Sequence, residues 1–166
     1  MIILTGGAGM IGSMIAWHLN TILNENKFII FDELINQEQE KNINKRKFVD
    51  LLNKNELQKY LKNNNKITAV IHMGAISATT ESNFNKLLIS NIRYSQMLWS
   101  WCSENKVPFI YASSAATYGA GENGYDDNET SLSKLTPLNA YGYSKHFFDQ
   151  WALSQIKFNE PSPPQW

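Results

Sequence analysis

MIILTGGAGMIG, residues Met1 to Gly12, decides how the rest of the chain is read. Met1–Thr5 is an apolar run of the length of a buried strand, and it ends on Gly6-Gly7. Beyond the glycines, Ile11, Ile15, Leu19 and Ile22/Leu23 recur at spacings of three and four, which predicts a helix over Ile11–Leu23 with one apolar stripe. A glycine turn between a strand and a helix is the setting a phosphate cradle requires. Gly7, Gly9 and Gly12 satisfy G-x-G-x-x-G, while Gly6, Gly9 and Gly12 satisfy G-x-x-G-x-x-G. In both readings the missing side chains let backbone amides approach a pyrophosphate at the positive end of the helix dipole. Gly12 also lets the helix pack close to the strand.

Outward from this turn, short β-rich runs alternate with helical stretches. Phe28–Phe31 reads as a second buried strand closed by Asp32, and NQEQEKNINKRK after it reads as a solvated loop. Phe48–Val49 is expected as a brief third strand, Asn55–Leu61 as a short helix entering an Asn63–Asn65 turn, and Ala69–Met73 as a fourth strand. Asn83–Glu104 is the longest helix candidate; Pro108 marks its end before a strand over Phe109–Ala112. A polar loop with Gly119, Gly121 and Gly124 leads to a helix over Ala140–Ile156. Strands that are apolar throughout, alternating with helices, predict a doubly wound parallel α/β sheet of about five strands, a Rossmann architecture. One domain is expected over residues 1–157, followed by a Pro-rich tail over 158–166.

Composition excludes several classes. The chain has 166 residues with 15 Lys+Arg against 15 Asp+Glu, so no basic stripe points to nucleic acid. Cys102 is the only cysteine and cannot make an internal disulfide. No run reaches the roughly 18 apolar residues of a membrane span, and the N-terminus lacks the basic region of a signal peptide. No metal site is expected, and the expected setting is cytoplasmic.

Asp32 stands 20 residues after Gly12, where a carboxylate can accept hydrogen bonds from an adenosine ribose. Asp32 with Glu33 would repel a 2′-phosphate and favour NAD; Lys45, Arg46 and Lys47 could neutralise one if their loop folded back, so NAD and NADP both stay open. Gly74–Ser77 leaves the fourth strand at the carboxyl edge, where small residues suit a nicotinamide ribose, and Ser113 and Ser114 reach the same edge from the fifth. His72, inside a strand, reads as a satisfied core histidine. Tyr141 and Lys145 form Y-x-x-x-K on a predicted helix, which sets phenol and ammonium one turn apart on one face. A free tyrosine is a poor base at neutral pH; a neighbouring ammonium and a positive nicotinamide ring stabilise its phenolate. The serine hydroxyl can hold the substrate oxygen from the other side. Tyr143 competes for the role but lies two residues from Lys145 and points elsewhere.

The order TGGAGMIG, Asp32, HMGA, SSAATYG and YGYSK resembles the extended short-chain dehydrogenase/reductase family. The stretches HMGAISATTE, SNIRYSQ, YASSAATYG and PLNAYGYSKHFFD narrow the resemblance to its ADP-L-glycero-D-manno-heptose 6-epimerase branch. That resemblance implies a nicotinamide cofactor, NADP or NAD, that takes hydride from C6 of a nucleotide-linked heptose and returns it to the opposite face, in lipopolysaccharide-precursor synthesis. It implies cofactor contacts at Gly6, Gly9, Met10, Ile11, Gly12, Asp32, Glu33, Lys47, Lys54, Gly74, Ala75, Ile76, Ser77, Asn91 and Lys145, with Ser114, Tyr141 and Lys145 catalytic. The loop between Asp32 and Lys47 is longer than the family pattern.

The resemblance covers nearly the whole chain yet only the first half of the family's architecture. The sixth strand, the substrate lobe and a second catalytic lysine have no counterpart in these 166 residues. The expectation is a cofactor-binding half that is inactive alone; Trp99, Trp101, Phe147, Phe148 and Trp151 are core or helix-interface residues in such a helix pair, and a half-length chain that leaves some of them exposed self-associates into a homo-oligomer. Another nucleotide-sugar epimerase or reductase, or a non-catalytic dinucleotide-binding fragment, are the alternatives.

Overall fold

In the parallel sheet, β1 (Ile2–Thr5) lies between β2 (Phe28–Asp32) and β4 (Ala69–His72). β3 (Asp50–Asn53) and β5 (Phe109–Tyr111) complete the order β3-β2-β1-β4-β5. This computed structural model describes residues 1–64, 66–158 and 161–164. The chain divides into two compact units, one built on Met1–Gly74 with Asn105–Tyr111, the other on Ala75–Glu104 with Ala112–Ser162. The sheet belongs to the first.

Strand order reverses at β1, whose two neighbours are β2 and β4; such a switch point is where open parallel sheets bind ligands. Register aligns the carboxyl ends: Thr5 pairs with Phe31 and His72, Asp32 with Asn53, and His72 with Tyr111. Helix α1 (Met10–Thr21) and helix α2 (Gln37–Ile43) contribute Ala16, Leu19 and Ile43 to a core with Leu4, Phe28 and Ile30. On the other face, helix α3 (Leu57–Asn63) sets Tyr60 edge-on to Phe31 at 5.3 Å between ring centroids. Both faces of the sheet are therefore covered, which is why its strands can be apolar throughout.

Three expectations need correction. The α1 stripe faces the sheet only in part: Leu19 is buried and Ile15 packs against the core, while Ile11, Ile22 and Leu23 are exposed and Gly12, Ser13 and Ala16 are buried beside Leu19. Close approach at the glycine turn selects the small residues. The stretch read as a loop contains α2, capped by the Asn36 side chain on the Gln39 amide and anchored by buried Ile43. The third strand begins at Asp50 and not at Phe48, because Val49 pairs only through its amide to Phe28 and is itself exposed.

In the second unit, α4 (Phe84–Leu87), a π-helical segment Leu88–Arg93 and α5 (Tyr94–Asn105) run on as the expected long helix. Helix α6 (Ala140–Lys157) is capped by the Asn139 side chain on the Gly142 amide. Trp99 meets Phe148 and Trp151 edge-on. Among these aromatics Trp99 and Phe148 are buried, while Phe147 is exposed. No helix of the described residues is long and apolar enough to cross a membrane. Pro161–Pro164 has no regular structure, and the tail residues Asn159, Glu160, Gln165 and Trp166 lie outside the described set, as does Asn65 of the expected turn.

Candidate cofactor and catalytic site

Gly6 leaves β1 with φ +67°, and a Cβ there would lie 2.6 Å from the Gly74 amide nitrogen. The two glycines thus pack where β1 and β4 end side by side. Thr5 bridges them: its hydroxyl accepts from the Gly74 amide at 3.1 Å and lies 2.6 Å from His72 Nδ1. His72 is accordingly the satisfied core residue its strand position predicts. Gly12 is required more strictly, since a Cβ on it would lie 2.1 Å from the Gly6 carbonyl oxygen. Gly9 differs. A Cβ there would meet only the Gly6 carbonyl oxygen, at 3.4 Å, so protein packing does not demand glycine at the N-cap of α1. A ligand resting on this turn would. No side chain caps the helix, and Met10, 78% exposed, and Ile11 form its open first turn. The residues present fit a dinucleotide pyrophosphate.

Asp32 is tied into the same turn. Its Oδ2 accepts from the Ala8 amide at 2.8 Å, and its Oδ1 accepts from the Glu33 amide at 2.8 Å. Asn42 of α2, which the sequence does not single out, donates to the Ala8 carbonyl at 2.9 Å. Ala8 is therefore held from both sides. Glu33 and Lys54 follow the registered pair Asp32/Asn53, and their side chains form a 2.7 Å ion pair. Lys47 is not brought to this group. Its backbone exchanges two hydrogen bonds with the Asn20 side chain near the end of α1, and Val49 aligns with Phe28 at the amino end of β2.

In the second unit, Ser114 caps a 3₁₀ turn over Ala115–Tyr118 by accepting from the Ala116 amide at 3.2 Å. Helix α6 packs on that turn: a Cβ on Gly142 would lie 2.8 Å from the Ala116 carbonyl oxygen. Tyr141, the residue before Gly142 in the helix, is buried. Lys145, 5% exposed, donates to the Ala112 carbonyl at 2.8 Å. Burial pushes its ammonium below the ordinary lysine range, and the Asp149 charge opposes that shift.

Asn91 is 1% exposed and sits in the π-helical segment. Its Oδ1 accepts from the Ile76 amide at 2.9 Å, and its Nδ2 donates to the Ile76 carbonyl at 3.0 Å and to Ser144 Oγ at 2.9 Å. Ser144 Oγ in turn donates to the Tyr141 carbonyl at 2.7 Å. Asn91 thus fastens the loop Ala75–Ser77 and the first turn of α6 to one amide. Ser113, read from sequence only as a strand-end hydroxyl, donates to Asp149 at 2.5 Å. Asp149 is the residue sequence reasoning missed; its signal is its place four after Lys145, on the face that already carries Tyr141. Among the described residues no group of His, Cys, Asp and Glu can hold a metal.

An ADP-L-glycero-D-manno-heptose-6-epimerase of Fusobacterium nucleatum is 48% identical over 171 residues, covering 100% of this chain and 50% of that protein. One from Nitratidesulfovibrio vulgaris is 44% identical over 158 residues, covering 93% of the chain and 49% of its own length. The crystal structure of the Helicobacter pylori ADP-L-glycero-D-manno-heptose-6-epimerase superposes with a TM-score of 0.73 at 27% identity, over 93% of this chain and 50% of that one. The chain spans about half the length of the relatives it matches. Residues 2–159 match the NAD dependent epimerase/dehydratase family, and the chain belongs to it.

Proposed function

We propose that the chain supplies the cofactor-binding half of an epimerase that inverts C6 of an ADP-linked heptose, and that alone it does not turn the sugar over. The observation that carries this reading is the Tyr141–Lys145 pair on α6, packed through Gly142 on the turn that Ser114 caps. The 48% identical Fusobacterium relative supports the choice of sugar.

A bound nicotinamide would supply the hydride acceptor and donor for the sugar carbon. This chain's residues supply the cofactor side of that reaction. Gly9 and the first turn of α1 receive the pyrophosphate, and Asp32 accepts from the adenosine ribose. Ala75–Ser77, held by Asn91, border the nicotinamide half. Tyr141 takes the proton from the sugar hydroxyl as hydride leaves, and Ser114 holds that oxygen; proton transfer from the far face falls to the second lysine that the family resemblance implies, in the other half. Lys145 supplies positive charge beside the phenol and a donor for the nicotinamide ribose. A placement in lipopolysaccharide-precursor synthesis, in the cytoplasm and as a homo-oligomer, follows from the same reading.

Joining this chain to the second half of the Fusobacterium relative tests the proposal. The chimera is expected to invert ADP-heptose at C6, and Tyr141→Phe to abolish inversion with NADH binding retained. A folded, cofactor-binding chimera that leaves ADP-heptose untouched contradicts it.

A further inference from the structure

We propose that Asp149 is a positioning residue for the reaction: its carboxylate is the counter-charge of the Lys145 ammonium, and Ser113 holds that carboxylate in place. The inference rests on the Tyr141–Lys145 reading above and concerns what keeps the lysine charged. Lysine and aspartate are almost never fully buried unless paired. Among the described residues Lys145 is the only buried lysine or arginine, and Asp149 the only buried aspartate or glutamate. They lie one turn apart on α6 and grip successive residues. Lys145 donates to the Ala112 carbonyl at 2.8 Å, and Asp149 accepts from Ser113 Oγ at 2.5 Å. The carbonyl is neutral, so it satisfies one N–H of the ammonium without balancing its charge. Lysine before acid is the weaker order for such a pair on a helix, so the pair adds little to the helix itself.

An ammonium at 5% exposure without a counter-charge sheds its proton more readily, because burial penalises the charged form. Burial does hold Lys145 below the ordinary lysine range, and Asp149 acts against it. A neutral amine still bonds to the Ala112 carbonyl, but it leaves no positive charge beside Tyr141. Other groups do not replace Asp149. On α6, His146 is buried and held toward its neutral form, and Tyr143 packs on Phe147. Of the elements packed against α6, Lys86 of α4, Arg93 of the π-helical segment, and Glu129 and Lys134 of the 3₁₀ segment Glu129–Lys134 are exposed. Tyr118 donates to Asp127. On α5, Tyr94 is half-buried, Glu104 is exposed, and the Cys102 thiol stays neutral, pushed up to about 12 by burial.

The test is a pH titration of the 166-residue chain, isotopically labelled at the lysine ε-carbons and followed by NMR. The Lys145 resonance is assigned by its loss in Lys145→Met. Asp149→Asn keeps an acceptor for Ser113 but removes the charge, and the Lys145 midpoint is expected to fall by about one pH unit. Asp149→Ser is the second neutral variant should Asp149→Asn not fold, and Asp149→Glu is expected to restore most of the wild-type midpoint. Ser113→Ala loosens the carboxylate without neutralising it and is expected to lower the midpoint by less than Asp149→Asn does. In the chimera described above, Asp149→Asn is expected to move the basic limb of the kcat profile to lower pH, with kcat falling more than KM rises. A Lys145 midpoint equal in the wild type and a folded neutral variant overturns the proposal, whether or not the chimera turns over. A wild-type chimera inactive toward ADP-heptose overturns the earlier reading and leaves the lysine titration standing.

Discussion

Asp149 accepts the Ser113 hydroxyl at 2.5 Å, one helical turn beyond the point where Lys145 grips the Ala112 carbonyl. Two successive residues leaving β5 are thus held by an i, i+4 pair on α6, and Ser114 follows them directly. Replacing Asp149 by Ala removes the partner of Ser113 and the charge that opposes Lys145 desolvation. The expected loss is about 1–3 kcal/mol of unfolding free energy, with Asp149→Asn losing less because its amide oxygen still accepts. Denaturant unfolding checks this; an Asp149→Ala variant as stable as the wild type refutes the grip.

Gly9 and Gly12 separate folding from binding. Gly12→Ala puts a methyl 2.1 Å from the Gly6 carbonyl oxygen, so both melting temperature and NADH binding are expected to fall. Gly9→Ala meets the protein only at ordinary contact distance. It is expected to melt close to wild type yet bind NADH at least about tenfold more weakly, because the space over Gly9 belongs to the pyrophosphate. Equal effects of the two substitutions on both readouts would contradict this division.

The sheet was legible because its evidence is local. Apolar runs of strand length, glycines at the first turn and Asp32 at the end of β2 each report on their own neighbourhood. The same locality explains what was not legible. Residues 36–47 look solvated because Ile43 is the one buried residue of α2. Asn42 acts on Ala8, 34 residues away, and sequence spacing carries no trace of that contact. The position of the Lys47 backbone toward the amino end of the sheet is hidden for a related reason, since register is not visible in a run of charges. Tyr141 and Lys145 are legible as a pair because helix spacing couples them; Asp149 obeys the same spacing, but its contact with Ser113, 36 residues away, leaves no trace in the sequence.

His146 gives the second unit a pH dependence. It is buried, and among the described residues its Nδ1 has no hydrogen-bond partner. Burial holds the imidazole below its ordinary value of 6.5, with the Asp149 charge opposing. The unfolded chain therefore takes up the proton more readily than the folded one. The stability contribution is complete above the unfolded value and is lost as pH falls through the lower folded value. Thermal melts between neutral and mildly acidic pH are expected to decline more steeply for wild type than for His146→Gln. Parallel curves would rule out His146 as the source.

Asn91 is expected to be intolerant of even an isosteric change. Asn91→Asp keeps an acceptor for the Ile76 amide but cannot donate to the Ile76 carbonyl or to Ser144, and it buries a charge. A loss of roughly 2–4 kcal/mol in denaturant unfolding is expected from two broken buried bonds. A loss below about 0.5 kcal/mol, within the scatter of surface substitutions, would show that another group holds the loop.

The central claim is that these residues form a working dinucleotide site in half the length of the relatives. Titration of the purified chain into NADH, read by nicotinamide fluorescence, tests it most directly. A single saturable transition is predicted, absent in Gly12→Ala. A folded wild-type chain with no saturable signal would contradict the account.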